Sequence, residues 1–126
     1  MRSAIAGILI LSAVWGCSKT STTEKDNTLP VITLNNPANG QVFTAGQNIA
    51  ISGSITDDKF IAEVHIHVTN TNTGTLLMDV HLYPANSNAT FDQSITAVSG
   101  INYKIQIIAK DRAVNEARTS VEVSAN

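Results

Sequence analysis

Histidine and aspartate side chains that could bind a metal ion fall on alternate positions of two neighbouring segments. His65 and His67 alternate with valine and isoleucine, and Asp79 and His81 alternate with methionine, valine and leucine. Alternation with a period of two is typical of a β-strand with one buried face, so the four polar side chains are predicted on the outer face of two strands. Glu63, two residues before His65, is predicted on the same outer face. Imidazole nitrogens and carboxylate oxygens are ligands that zinc takes in proteins.

The connection between the two segments determines which of these residues face each other. Residues 72–74, Asn-Thr-Gly, suit a three-residue hairpin loop with the glycine in the left-handed conformation. This loop pairs His65 with His81 and His67 with Asp79, and directly opposed residues have Cβ atoms about 4.5–5.5 Å apart. The sequence therefore predicts a zinc-type site made of His65, His67, Asp79 and His81.

Two other interpretations of the histidines stay open at this point. A polar outer sheet face tolerates histidine without any ligand. Histidines also titrate near pH ~6.5, so the same patch could serve as a pH-responsive binding surface.

The rest of the chain after Leu29 shows the same period of two and no sustained helical period. Turn residues separate the apolar alternations. The predicted strands are Val31–Asn35, Gln41–Phe43, Asn48–Ile55, Phe60–Thr71, Thr75–Tyr83, Ala89–Thr96, Ile101–Lys110 and Glu116–Ser124. One-sided alternation is typical of antiparallel sheets, and two such sheets packed face to face form a sandwich. The predicted fold is thus an all-β antiparallel sandwich of seven or eight strands.

The alternation also predicts which side chains face the core of this sandwich. They are Ile49, Ile51, Gly53 and Ile55, then Phe60, Ala62, Val64, Ile66 and Val68, then Tyr103, Ile105, Ile107 and Ala109, and finally Val121 and Val123.

The N-terminal residues have the features of an export signal. A positive Met1-Arg2 precedes an uncharged, mostly apolar run over residues 4–14. That run is too short to span a bilayer as a helix, which needs about 20 apolar residues. Residues 14–17, Val-Trp-Gly-Cys, resemble the lipobox of bacterial lipoproteins. The resemblance implies cleavage before Cys17 and acylation of its thiol and new amino group.

The chain is therefore expected to have three parts. Residues 1–16 are a cleaved lipoprotein signal peptide, residues 17–29 are the lipidated cysteine with a flexible polar tether, and residues 30–126 are one domain. Ser18 stands where an aspartate would retain a lipoprotein at the inner membrane in enteric-type sorting, so the outer membrane is the expected location.

Charge and cysteine content exclude several other functions. The chain has 126 residues, a formal net charge of −2 and no basic stripe for nucleic acid. It also lacks a polybasic segment for anionic lipids, so membrane attachment is expected through the lipid anchor. Cys17 is its single cysteine, which excludes an intrachain disulfide. No nucleophile stands in a recognisable order with a histidine and a carboxylate, so no catalytic residues are expected.

Two stretches of the predicted domain resemble bacterial Ig-like domains. The opening stretch is Pro30-x-Ile32-x-Leu34, Pro37-x-Asn39-Gly40-x-Val42, Gly46 and Ile49-x-Ile51-x-Gly53-x-Ile55-x-Asp57. The closing stretch is Tyr103-x-Ile105-x-Ile107-x-Ala109-x-Asp111, followed by Ala113-x-Asn115. The resemblance implies an immunoglobulin-like or fibronectin-like sandwich in which the Tyr103 hydroxyl bonds back to the chain as a tyrosine corner. Val114 occupies the place where this family usually has glycine.

The Ig-like topology implied by this resemblance brings a second set of polar residues to one end of the sandwich. Asp57 and Asp58 are expected near Asp111 and Asn115. Clusters of oxygen ligands in loops bind calcium, and related adhesin-type domains sometimes do so at this end. The alternative is turn chemistry, because aspartate and asparagine side chains also bond the backbone of their own turns.

Three functions are compatible with these features. The favoured one is a non-enzymatic, membrane-anchored binding or accessory module of the cell envelope that presents its faces and loops to a protein or glycan partner. The second is a metal-handling lipoprotein that uses the His/Asp patch. The third is a spacer or structural subunit of an envelope complex. No cofactor other than zinc or calcium is expected.

Overall fold

The computed structural model describes residues 25–126, and the described chain is all-β. The predicted signal peptide, Cys17 and the first part of the predicted tether lie outside the described residues. The seven strands of the described chain are β1 (Val31–Asn36), β2 (Val42–Phe43), β3 (Asn48–Asn70), β4 (Leu76–Leu82), β5 (Asn86–Thr96), β6 (Asn102–Asp111) and β7 (Glu116–Ala125). Within residues 25–126, no helix is long and apolar enough to cross a membrane.

Strand β3 joins the two layers of the sandwich. Its first half pairs with β1 and β5, and its second half pairs with β4 and β6. The second layer continues from β6 through β7 to β2, which runs parallel to β7. All other pairings are antiparallel, as predicted.

The prediction that β3 would be two separate strands is wrong. The carboxylate of Asp57 accepts hydrogen bonds from the backbone N–H groups of Lys59 at 3.0 Å and Phe60 at 2.9 Å. These bonds occupy backbone donors at the point where β3 changes its partners, so the chain bends between layers while it stays extended. The Asp57-Asp58 pair marks a bend inside one strand and does not end it.

The core between the layers contains the apolar side chains that the alternation predicted, with one correction at the start of the second half of β3. Ile61 is fully buried, whereas Phe60 and Ala62 are only half-buried. The β3–β6 ladder shifts register between Ile61 and Glu63, and such a shift moves a side chain to the other face. Phe60 instead packs against the Arg112 guanidinium, whose Cζ atom lies 3.7 Å from the centroid of the phenyl ring.

The tyrosine corner is confirmed. Tyr103 is 1% exposed, and its hydroxyl accepts a hydrogen bond of 2.8 Å from the backbone N–H of Val98. This bond ties the start of β6 to the segment that precedes it, as in immunoglobulin-like sandwiches.

Candidate metal centre

The β3–β4 hairpin has the predicted register at the histidines. His65 is paired with His81, and His67 is paired with Asp79. The predicted three-residue loop is wrong, because the N–H of Asn70 bonds the carbonyl of Thr75 and the ladder shifts by one residue between Val68 and Thr69. The loop glycine, Gly74, has φ of 76° and donates its N–H to the carbonyl of Asn70 at 2.7 Å. Val64, Ile66 and Val68, which alternate with the two histidines of β3, are fully buried in the core. The histidines therefore lie on the outer face of the sheet.

Three imidazole nitrogens converge on one carboxylate oxygen. The Oδ1 atom of Asp79 lies 2.5 Å from Nε2 of His65, 3.3 Å from Nε2 of His67 and 3.2 Å from Nε2 of His81. The Nε2 atoms of His65 and His67 are themselves 2.5 Å apart. Donor atoms of His65, His67 and Asp79 therefore lie within 4.8 Å of one another, whereas His81 forms a second such group with Glu63 and His65.

These separations are close to those of a tetrahedral zinc site. Donors about 2.0–2.1 Å from zinc lie about 3.3 Å from one another at tetrahedral angles. The distances from Asp79 to His67 and His81 already have this value, at 3.3 Å and 3.2 Å. His65 is too close to its neighbours for this geometry, and His81 lies outside the group formed by the other three ligands, so both rings would have to move to complete a tetrahedron.

A fifth polar residue, Glu63, contacts the site through His81. Glu63 Oε1 accepts a hydrogen bond of 2.7 Å from Nδ1 of His81, the ring nitrogen that does not face Asp79. The sequence places Glu63 on the same outer face, but its contact with His81 depends on side-chain direction and was not predicted. Carboxylates that accept from the second nitrogen of a metal-binding histidine are a regular feature of zinc sites.

Both carboxylates of the patch have lowered pKa values. The hydrogen bond with His65 lowers the pKa of Asp79, and that with His81 lowers the pKa of Glu63, with smaller contributions from nearby positive charges. Each carboxylate is therefore negative at neutral pH and acts as an acceptor.

The patch is open to solvent on one side. Side-chain exposure rises from 21% at His65 to 29% at His67, 39% at His81 and 42% at Asp79. On the other side of His65 in the ladder lies Ile108, which is buried although it belongs to the outer face. A metal ion can therefore reach the four donor atoms directly from solution.

The predicted calcium residues are brought together only in part. Carboxylate oxygens of Asp57, Asp111 and Asp26 lie within 4.8 Å of one another, and Asn115 donates to both oxygens of Asp111 at 2.8 and 2.7 Å. Asp58 is exposed and outside this group, whereas Asp26 comes from the predicted tether and was missed. The calcium interpretation stays a prediction, which thermal melts in calcium and in chelator would test.

Comparison with protein families agrees with the architecture. The family described as the bacterial Ig domain matches residues 30–107, which is more than half of the chain. The chain belongs to the bacterial Ig domain family. Within residues 25–126, this bacterial Ig domain has seven strands and no helix, which is the fold expected of the family.

Solved structures share this fold at low sequence identity. A fibronectin(III)-like module of CbhA from Clostridium thermocellum has a TM-score of 0.52 and 21% identity, over 75% of this chain and 94% of that one. A superoxide reductase (neelaredoxin) from Ignicoccus hospitalis has a TM-score of 0.52 and 12% identity, over 84% of this chain and 86% of that one. OgpA from Akkermansia muciniphila has a TM-score of 0.51 and 8% identity, over 76% of this chain and 28% of its own. A comparison with curated proteins finds no match.

Sequence identities this low support a shared fold but not a shared function. An Ig-like fold supports a non-enzymatic accessory or structural module, although the superoxide reductase is an enzyme with a similar sandwich. Function must therefore be argued from the residues of this chain.

Proposed function

We propose that this bacterial Ig domain is a non-enzymatic, lipid-anchored module of the cell envelope that binds one zinc-type divalent metal ion on its outer sheet face. The observation that supports this function is the convergence of His65, His67 and His81 on a single oxygen of Asp79. Among the interpretations left open by the sequence, it favours metal binding over a histidine face without a ligand.

Hydrogen bonds alone satisfy this arrangement poorly. If Nε2 of His65 carries a proton, that single hydrogen has to be shared between the oxygen of Asp79 and the Nε2 lone pair of His67, each 2.5 Å away. Without that proton, its lone pair faces a negative oxygen at 2.5 Å. A single cation among the donor atoms removes the conflict, because each of them then gives a lone pair to the ion.

Mutual repulsion argues in the same direction. The rings of His67 and His81 each lie 3.7 Å from that of His65, measured between centroids. Protonated imidazoles this close repel one another, and exposed side chains lose rotamer freedom when they are gathered at one point. Coordination to a divalent ion offsets both costs.

The number of ligands favours capture or structural use of the ion over catalysis. Four protein ligands fill a tetrahedral zinc site, whereas catalytic zinc sites use three and keep one position for water or substrate. The donor atoms of His65, His67 and Asp79 lie within 4.8 Å of one another, and a movement of the His81 ring toward them would supply the fourth ligand.

The lipid anchor is a proposal that rests on the sequence. The lipobox-like residues 14–17 and the polar segment that follows support an acylated Cys17 and a tether to the outer membrane. Removal of the Cys17 thiol tests this part of the proposal directly.

Calorimetry with zinc tests the metal site. The mature, tag-free chain carrying Cys17→Ser, which removes a competing thiol, is expected to bind one zinc per chain with a dissociation constant of about 1 µM or lower. Asp79→Asn should weaken binding at least tenfold, while Asp92→Asn, at an exposed aspartate of β5, should leave it unchanged. Absence of heat at near-millimolar zinc would exclude the proposed function.

A further inference from the structure

We propose that Glu63 is the positioning residue of the metal site, and that it holds His81 in the tautomer whose Nε2 lone pair faces the other ligands. This inference rests on the proposed function, because it assigns a role within the same site. No residue of the predicted ligand set performs this role.

The two nitrogens of His81 have different partners on opposite sides of the ring. Nδ1 lies 2.7 Å from Oε1 of Glu63, and Nε2 lies 3.2 Å from Oδ1 of Asp79. A carboxylate only accepts, so the proton of a neutral His81 belongs on Nδ1. Nε2 then has the free lone pair that a metal ion requires.

Glu63 has a basic residue beside it on the next strand. It is 27% exposed, and it is paired with Lys110 in the β3–β6 ladder. The charge of Glu63 makes His81 a stronger ligand.

Direct coordination by Glu63 is the competing role. Glu63, His65 and His81 each offer a donor atom within 4.8 Å of the others, so they could hold an ion of their own. The nitrogen of His81 nearest to Glu63 is, however, the one that already donates to it at 2.7 Å. The two roles differ in stoichiometry, since a ligating Glu63 adds a second ion.

Zinc titration of three variants separates charge, hydrogen bonding and general surface effects. In the Cys17→Ser mature chain, Glu63→Ala should weaken zinc binding about 10- to 100-fold. Glu63→Gln should recover part of this loss, because the amide oxygen still accepts from Nδ1 without the charge. Glu116→Gln serves as the matched control, because Glu116 also lies near Lys110, at 3.8 Å, but has no contact with the histidines among the described residues.

A second measurement reports on the tautomer without metal. Long-range ¹H–¹⁵N NMR of the metal-free chain should show His81 protonated on Nδ1, and Glu63→Ala should shift it toward a mixture. Circular dichroism of each variant checks that it is folded, and Glu63→Gln remains informative if Glu63→Ala does not fold.

The outcomes distinguish this inference from the function on which it rests. A wild-type domain that binds no zinc overturns both. Zinc binding that is equal in wild type and Glu63→Ala overturns the role of Glu63 alone, and so does an unchanged His81 tautomer. Two zinc ions per chain, one of them lost in Glu63→Gln, would make Glu63 a ligand.

Discussion

Val114 adopts a backbone conformation that suits glycine. Its φ is 66°, and its side chain is 78% exposed. The left-handed conformation costs an L-residue about 1–2 kcal/mol, and a β-branched side chain is among the least tolerant. The turn forms nevertheless, because Asn115 bonds both oxygens of the buried Asp111 and the N–H of Val114 reaches the Asp111 carbonyl at 3.2 Å.

Val114→Gly is therefore expected to stabilise the domain by about 0.5–1 kcal/mol. Release of the left-handed penalty exceeds the added backbone entropy of glycine in the unfolded chain, and an exposed valine loses little burial. Urea unfolding of the two proteins measures the difference. Ala113→Gly, at the exposed neighbouring position, should be neutral or destabilising, and a destabilised Val114→Gly would show that the turn is not strained.

Gly53 lets three strands of the first layer approach closely. A Cβ atom at this position would lie 2.1 Å from the backbone oxygen of Thr33 in β1 and 2.6 Å from Cζ of Phe91 in β5. Gly53 is paired with Phe91 on one side and Leu34 on the other. Because glycine has no side chain, the Phe91 ring can occupy this part of the core.

Gly53→Ala is expected to destabilise the domain by about 2–3 kcal/mol. The added methyl group overlaps a backbone atom that cannot rotate away, so β1 must shift, and overpacking of this kind exceeds the gain in strand propensity. Thermal and urea unfolding check the value. Ser54→Ala, at the next position of β3, is the control and should change stability by less than about 0.5 kcal/mol. Equal stability of Gly53→Ala and wild type would contradict the close approach.

The β3–β4 hairpin shows which elements the sequence could predict. Alternation predicted the pairing of His65 with His81 correctly, whereas the loop itself pairs one residue out of that register and a shift between Val68 and Thr69 restores it. The position of Ile61 was not predictable in this way, because the register shift beside it reverses the alternation without any local sequence signal. Asp57 misled the prediction for a related reason, since the same side-chain bonds that end a strand also serve a bend within one.

Side-chain direction and tertiary contacts account for the rest. The alternation placed Glu63 on the correct face, but its bond to His81 depends on a rotamer. Composition assigned Asp26 to the tether, whereas its carbonyl accepts a bond of 2.7 Å from the Asn115 amide, 89 residues away in sequence. Local patterns carry no information on contacts of that range.

At the scale of the whole molecule, the chain enters the domain near one end of the metal face. Asp26 is held by Asn115, in the turn that follows β6. In the β3–β6 ladder, Ile61 is paired with Asp111 at this end, and Glu63 is two residues further along β3. A lipid on Cys17 would leave nine residues, 17–25, before Asp26, which span at most about 30 Å when extended. A lipid on Cys17 would thus attach the domain to the membrane through its Glu63 end.

Cys17→Ala tests the anchor on which this orientation depends. Acyl chains contribute about 0.8 kcal/mol per buried CH₂, and the net charge of −2 supplies no electrostatic substitute. In a Gram-negative host that processes lipoproteins, the wild-type chain should fractionate with membranes and require detergent, whereas Cys17→Ala should be recovered in soluble fractions. Ser18→Ala, at the adjacent position, should stay with the membrane and still incorporate labelled palmitate. A Cys17→Ala protein that remains equally dependent on detergent would rule out the lipid anchor, while leaving the metal site on β3 and β4 untouched.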